Sequence, residues 1–229
     1  MDYRPPDGYY DNERPEVAAL VPGAARFVID VGCGAGELGR ALKAQRPGIQ
    51  VRGIEPVPMQ ADRARRVLDA VYTGNADDPL PNEWPAPDCV IFADVLEHLV
   101  DPWRTARKYR DLLRPGGTVV ASIPNVTHRS VLGGLLRHRW DYDVQGILDR
   151  THLRFFTRET ALEMFEQAGF SIRQVRRIVD GLGQKPLGRW LRGLIDREGG
   201  KNRLYSDPLA LVIDAMTVQF LIVAETARL

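Results

Sequence analysis

Cysteine is scarce. The 229 residues include two, Cys33 and Cys89, and no Cys-x-x-Cys pair. That excludes a disulfide-stapled scaffold and argues against a small fold organised on zinc. An excess of one charge is also missing: the formal net charge is +1, and 44% of the residues are hydrophobic, so the chain is not disordered. No long apolar run is present. The most apolar stretch, Leu209 to Ala224, is interrupted by Asp214 and falls short of the roughly 20 residues that a bilayer requires. The opening Met1-Asp2-Tyr3-Arg4-Pro5-Pro6 has no apolar core of a secretory signal. These absences predict a reducing, cytoplasmic setting and no stable membrane insertion. There is no basic tail or aromatic-interleaved basic stripe, which excludes a nucleic-acid partner.

The near-neutral total hides an asymmetry. Residues 1–100 hold 10 Lys and Arg against 16 Asp and Glu, so the basic excess lies in residues 101–229. Those basic residues are scattered, as on a solvated surface. Residues 1–15 are polar and rich in Tyr and Pro, and read as an arm or lid. Arg26 to Val31 is an apolar run that enters a glycine cluster, the habit of a buried parallel strand. Further strands are predicted at Val51–Glu55, Val71–Thr73, Cys89–Ala93 and Thr118–Ile123. Helices are expected at Glu37–Gln45, from Pro58 towards Asp69, and from Pro102 to the Arg114-Pro115-Gly116-Gly117 stop, with Asp101 as N-cap. This alternation predicts an α/β fold, a parallel sheet with helices on both faces. The rhythm breaks over 124–157 and again over 180–208, which read as insertions in a single domain spanning 1–229. A helix capped by Thr157 and closed by Gly169, a strand Phe170–Val179 and a last strand Leu211–Ala224 complete the pattern.

The chemistry begins at Asp30-Val31-Gly32-Cys33-Gly34-Ala35-Gly36. Alternate glycines let the backbone turn sharply and approach a ligand, and the following helix offers free N–H groups. Glu55 ends the next strand, where an acid can accept both hydroxyls of a ribose. Gly34-Ala35-Gly36-Glu37-Leu38-Gly39 also fits the dinucleotide G-x-G-x-x-G pattern, which keeps an NAD-dependent oxidoreductase open. Against NAD, Asp30 would set a negative charge near a pyrophosphate, whereas it suits an amino-acid ammonium. A cofactor-binding subunit without catalysis is a third reading.

Taken together, the Asp30-x-Gly32-x-Gly34-x-Gly36 loop, Glu55, Gly74-Asn75-Ala76-Asp77, Asp94-Val95-Leu96-Glu97-His98 and Leu113-Arg114-Pro115-Gly116-Gly117 resemble class I S-adenosylmethionine-dependent methyltransferases. The resemblance implies a Rossmann-like, seven-stranded, mostly parallel sheet of order 3-2-1-4-5-7-6 with the last strand antiparallel. It implies S-adenosylmethionine as cofactor, with Asp30, Gly32, Gly34 and Gly36 at the methionine part, Glu55 on the ribose and Asn75 and Ala76 along the adenine. Asp94 would lie beneath the sulfonium, and Tyr10 and Arg14 of the arm would join the cofactor contacts. The stretch Ser122 to His128, Trp140-x-Tyr142 and Gly146 to Thr157 is similar to bacterial methyltransferases of sugar, polysaccharide or glycosylated-metabolite pathways. That narrower likeness implies methyl transfer to a hydroxyl of a small sugar-like acceptor.

Moving a methyl onto a hydroxyl requires alignment and removal of a proton. Histidine suits that task near neutral pH, so His98, His128 and His152 are candidate bases, each weighed against a core histidine held by a backbone carbonyl. His138, within Leu136-Arg137-His138-Arg139, reads as surface. Asn125, Tyr142, Asp149 and Arg154 are candidate acceptor contacts, and 124–157 is the expected acceptor wall. Asp94, Glu97 and His98 resemble the acid-x-x-Glu-His cluster of metal-dependent quinone-pathway methyltransferases, so a divalent ion there is the alternative to a plain base. The stripe Leu187, Trp190, Leu191 and Leu194 suits a core or homodimer face better than a lipid surface.

Overall fold

The computed structural model describes residues 12–180 and 208–227. Its strands are β1 (Phe27–Val31), β2 (Gln50–Glu55), β3 (Ala70–Thr73), β4 (Cys89–Ala93), β5 (Thr118–Pro124), β6 (Ser171–Val179) and β7 (Thr217–Glu225). They form one sheet of order β3-β2-β1-β4-β5-β7-β6. All neighbours up to β5 are parallel, and β7 runs antiparallel to both β5 and β6. The expected topology is therefore the observed one. The helices are α1 (Pro15–Ala18), α2 (Glu37–Gln45), α3 (Pro58–Ala64), α4 (Pro102–Leu112), α5 (Arg129–Leu136), α6 (Arg158–Gln167) and α7 (Pro208–Met216).

Strand alternation divides the core in two. Val90 and Phe92 of β4 join Ile123, Tyr109 of α4 and Phe165 of α6 on one face. Cys89 and Ile91 turn to the other, with Val28, Val51 and Leu42 of α2. A strand buried on both faces must be apolar at successive positions, which is why β4 reads as an unbroken run. The two cysteines are free and buried. Cys89 stands opposite Val28 at the start of β1, whereas Cys33 follows that strand's far end, so the thiols sit towards opposite ends of neighbouring strands.

Helix ends follow their local chemistry. The Asp101 side chain accepts from the Arg104 N–H ahead of Pro102, and Thr157 with Thr160 forms a capping box on α6. Two expectations change. The run from Leu211 is not strand throughout: α7 extends to Met216 before β7 begins. An apolar stretch does not reveal its period when nearly every position is apolar. The 124–157 stretch also contains a regular element, α5. Residues 181–207, which hold nearly all of the second insertion and its apolar stripe, lie outside the described residues. Among the described residues, no helix is long and apolar enough to cross a membrane.

Candidate active site

The sheet order reverses direction between β1 and β4, and a crevice opens beyond the carboxyl ends of the strands at such a point. A cleft of about 930 Å³ lies at the strand ends, lined by Asp30, Gly32, Gly34, Glu55, Asn75, Ala76, Asp94, Glu97, His98 and His152 among others. The glycine loop is shaped by necessity. Gly32 has φ +70, and a Cβ placed there would come within 2.6 Å of a Val95 methyl. Its N–H donates to the Ile54 carbonyl at 2.8 Å, tying the loop to β2.

Two acids stand at the entrance to this loop. Glu55 is buried; its Oε2 accepts from Gly34 N–H at 2.9 Å and its Oε1 from Val57 N–H at 2.9 Å. Each oxygen keeps a further lone pair for a hydroxyl. Asp30 is 2% exposed, and its Oδ2 has no hydrogen-bond partner. Burial, with the nearby Glu55 charge adding to it, raises the Asp30 carboxyl to about 7. A buried, unpartnered carboxylate beside a glycine cradle fits the ammonium of an amino-acid ligand. Further along the cleft, the Ala76 carbonyl is fixed by Lys108 Nζ at 2.7 Å and the Tyr109 hydroxyl at 3.1 Å, so Asn75 and Ala76 form a rigid wall.

Asp94 follows β4 with φ +57, a conformation that aspartate tolerates better than most residues. It is held from three sides: Ser122 Oγ at 3.0 Å, Gln219 Nε2 at 2.9 Å and the Arg14 guanidinium. Arg14 also reaches Ser122 Oγ at 2.8 Å, so the described end of the arm reaches into the cleft. Tyr10 lies outside the described residues.

Deeper in, Glu97, His98 and His152 converge. One ligand atom from each lies within 4.8 Å of the others. Glu97 is 1% exposed and neither carboxylate oxygen has a hydrogen-bond partner. Burial and the Asp94 charge push its carboxyl well above the usual range. His152 Nδ1 faces the Ile147 carbonyl at 3.0 Å. A carbonyl only accepts, so this nitrogen carries the proton and Nε2 presents its lone pair, 4.0 Å from Glu97 Oε1. His98 is set by a relay. Thr151 donates its hydroxyl to Asp149 Oδ1 at 2.7 Å, which leaves Thr151 Oγ1 and the Thr151 carbonyl to accept from His98 Nδ1 at 3.1 and 3.3 Å. Burial lowers both histidines, and the His152 charge lowers His98 further. This favours the neutral form of each, in which Nε2 carries the lone pair.

The structure redistributes the sequence candidates. The three-residue cluster contains His152 in place of Asp94, because Asp94 is taken up by Arg14, Ser122 and Gln219. His128 is not at the cleft: its ring accepts from Ser130 N–H as the N-cap of α5, and its Nε2 faces Asp180 at 3.2 Å. Arg154 is likewise outside, its guanidinium donating to the Leu153 and Val100 carbonyls. Tyr142 is exposed beyond the cleft lining. Asp149 lines the cleft but spends one oxygen on Thr151, whose part was not legible from sequence. Gly36 shapes the loop from outside the lining, as N-cap of α2 with φ +88.

Asn125 also changes role. It is fully buried; its Nδ2 donates to the Asp214 and Thr217 carbonyls at 2.8 and 2.9 Å, and its Oδ1 accepts from Thr127. It fastens the end of α7 to β5 and has no capacity left for an acceptor. Asn125→Ala should cost about 2–4 kcal/mol of stability, since one buried and one part-buried carbonyl lose their donor. Chemical denaturation is the measurement, and a normal midpoint with a raised acceptor KM would restore the binding role.

The comparisons with known proteins agree with this geometry. Residues 10–175 match the model of the family described as Methyltransferase domain. The ubiquinone biosynthesis O-methyltransferase of Nitrosospira multiformis is 30% identical over 179 residues, 70% of this chain and 72% of that protein. The chain spans about half the length of the mycobacterial methyltransferases that it also matches. Among solved structures, a SAM-dependent methyltransferase from Thermotoga maritima superposes with TM-score 0.64 at 20% identity, over 95% of this chain and 89% of that one. A second, from Mesorhizobium loti, gives 0.61 at 22% identity, over 94% and 99%.

Proposed function

We propose that this chain, which belongs to the methyltransferase domain family, methylates a hydroxyl oxygen of a small acceptor, with S-adenosylmethionine as the methyl donor and His98 as the proton acceptor. When bound, the cofactor supplies a methyl group on a good leaving group. Asp30 would hold its ammonium and Glu55 its ribose hydroxyls. The buried cluster at the methionine end carries the proposal: a neutral His98 whose Nε2 is aimed by the Thr151–Asp149 relay, beside the unpartnered Glu97 and His152. Such a base suits a hydroxyl, whereas an uncharged amine needs none to attack. The Nitrosospira relative's name, an O-methyltransferase, points the same way. That name places it in ubiquinone biosynthesis, outside the narrower sugar class. The test is transfer of a labelled methyl group to panels of phenols, sugars and amines, with the product position read by mass spectrometry. Methyl found on nitrogen or carbon would overturn the proposal.

A second reading rests on the same three residues. Glu97, His98 and His152 are a donor set that suits a divalent ion, which would lower the hydroxyl's pKa in place of a base. If so, exhaustive chelation should abolish turnover and Mg²⁺ or Mn²⁺ should restore it. Full activity with no metal by elemental analysis leaves His98 as the base.

A further inference from the structure

Rings run in an unbroken series from the cleft to the protein surface. His98 and His152 meet edge to face with centroids 4.7 Å apart. His152 is 6.3 Å from Phe155, which meets Trp140 at 5.1 Å and Tyr142 at 6.4 Å. Trp140 and Tyr142 also contact each other, at 6.4 Å. Burial of such large side chains is the usual outcome of folding, yet Trp140 is 37% exposed and Tyr142 53%. Leu136 and Leu153 are exposed in the neighbouring chain segments. A cluster of exposed aromatics that continues a functional cleft marks a place where something binds.

The backbone holds this cluster in place. Asp143 N–H donates to the Leu148 carbonyl at 2.9 Å and Arg150 N–H to the Asp143 carbonyl at 3.0 Å, closing the loop between them. The same loop sends Gln145, Gly146 and Ile147 into the cleft lining, while Trp140 and Tyr142 precede it in sequence and stand outside that lining. The cleft and the ring cluster are therefore two ends of one structural unit.

We propose that Trp140, Tyr142 and Phe155 form a rim subsite for the flat apolar face of a second ring of the acceptor, one ring removed from the hydroxyl that is methylated. The proposal rests on the hydroxyl-methylation reading for the position of the first ring. Aromatic rings and the C–H faces of sugars offer the same flat apolar surface to an exposed aromatic side chain. The acceptor is accordingly at least two rings long, with its reactive ring at His98 and His152 and its distal ring against Trp140 and Tyr142.

The experiment is calorimetry on the full chain saturated with S-adenosylhomocysteine. Three matched pairs of probes are compared: catechol with 4-phenylcatechol, methyl β-glucoside with phenyl β-glucoside, and methyl β-glucoside with methyl β-cellobioside. The added ring should tighten binding by about tenfold in at least one pair, the scale of a single aromatic contact. Which pair responds distinguishes an aromatic distal ring from a sugar. Trp140→Ala and Tyr142→Ala should each erase that gain while leaving one-ring binding and S-adenosylhomocysteine affinity unchanged, and Trp140→Phe should restore part of it. No gain in any pair, or a gain that survives both alanine variants, overturns the subsite. Turnover of the same probes reads the hydroxyl chemistry separately. Ring-dependent binding without O-methylation keeps the subsite and removes the hydroxyl reading, and O-methylation without a ring effect does the reverse.

Discussion

His98→Ala should lower the single-turnover rate of methyl transfer by about 10²–10⁴-fold, the usual cost of removing a general base, with S-adenosylhomocysteine affinity unchanged. His152→Ala and Glu97→Gln remove the two groups that share its space and should lower the rate by at least tenfold, on the same reasoning. Thr151→Val keeps the volume but breaks the Asp149–Thr151–His98 relay, and should lower kcat more than it raises KM. His128→Ala is the control: it caps α5 away from the cleft, so it should cost stability and leave the rate near wild type. Because burial lowers His98 and His152, the acid limb of the rate profile should fall below the ordinary histidine value of about 6.5. The stability sign agrees. A histidine whose folded pKa is depressed contributes stability above its unfolded pKa, and that contribution is lost as pH falls through the folded value. Rates near wild type in both the His98→Ala and His152→Ala variants would remove the base.

The second large effect concerns the cofactor. Asp30→Ala and Glu55→Ala should each weaken S-adenosylhomocysteine by about 1.5–3 kcal/mol, the range of hydrogen bonds to charged groups. Asp30 adds a pH signature, because its carboxyl is raised to about 7 by burial and by Glu55. Its folded value lies above its unfolded one. The stability associated with the neutral acid is therefore full below the unfolded pKa and is lost as pH rises through about 7. A ligand ammonium reverses that balance by favouring the carboxylate. Cofactor affinity should rise with pH through this window, and the thermal shift produced by S-adenosylhomocysteine should grow with it. Asp30→Asn should flatten both curves. Calorimetry across pH is the measurement, and an unchanged pH dependence in the variant would detach Asp30 from the ammonium.

Much of the molecule was legible before folding. The strands around β1 and β4 announce themselves because a strand covered on both faces must be apolar throughout, and their helices because Asp101, Thr157 and Gly169 supply the chemistry that starts and stops a helix. The glycine loop with Asp30 and Glu55 was readable too, since each acid lies at the carboxyl end of a strand and strand ends converge at the crevice. These are local constraints: each is set by a few neighbouring residues. The division of labour among the polar residues was not local. Asp94, Glu97 and His98 are close in sequence, yet Asp94 is claimed by Arg14, Ser122 and Gln219 from distant parts of the chain. His152 arrives from the loop after α5 to complete the cluster. His128 and Asn125 looked like site residues and became a cap and a fastener, because hydrogen-bond capacity is finite and folding spent theirs on backbone groups. Sequence by itself determined the strands, most of the helices and the glycine loop, while the sheet order and the reaction class came from the family resemblance that those motifs carry. Only the tertiary structure decided which histidine faces the cleft, because that depends on which partners, tens of residues away, reach each polar atom first.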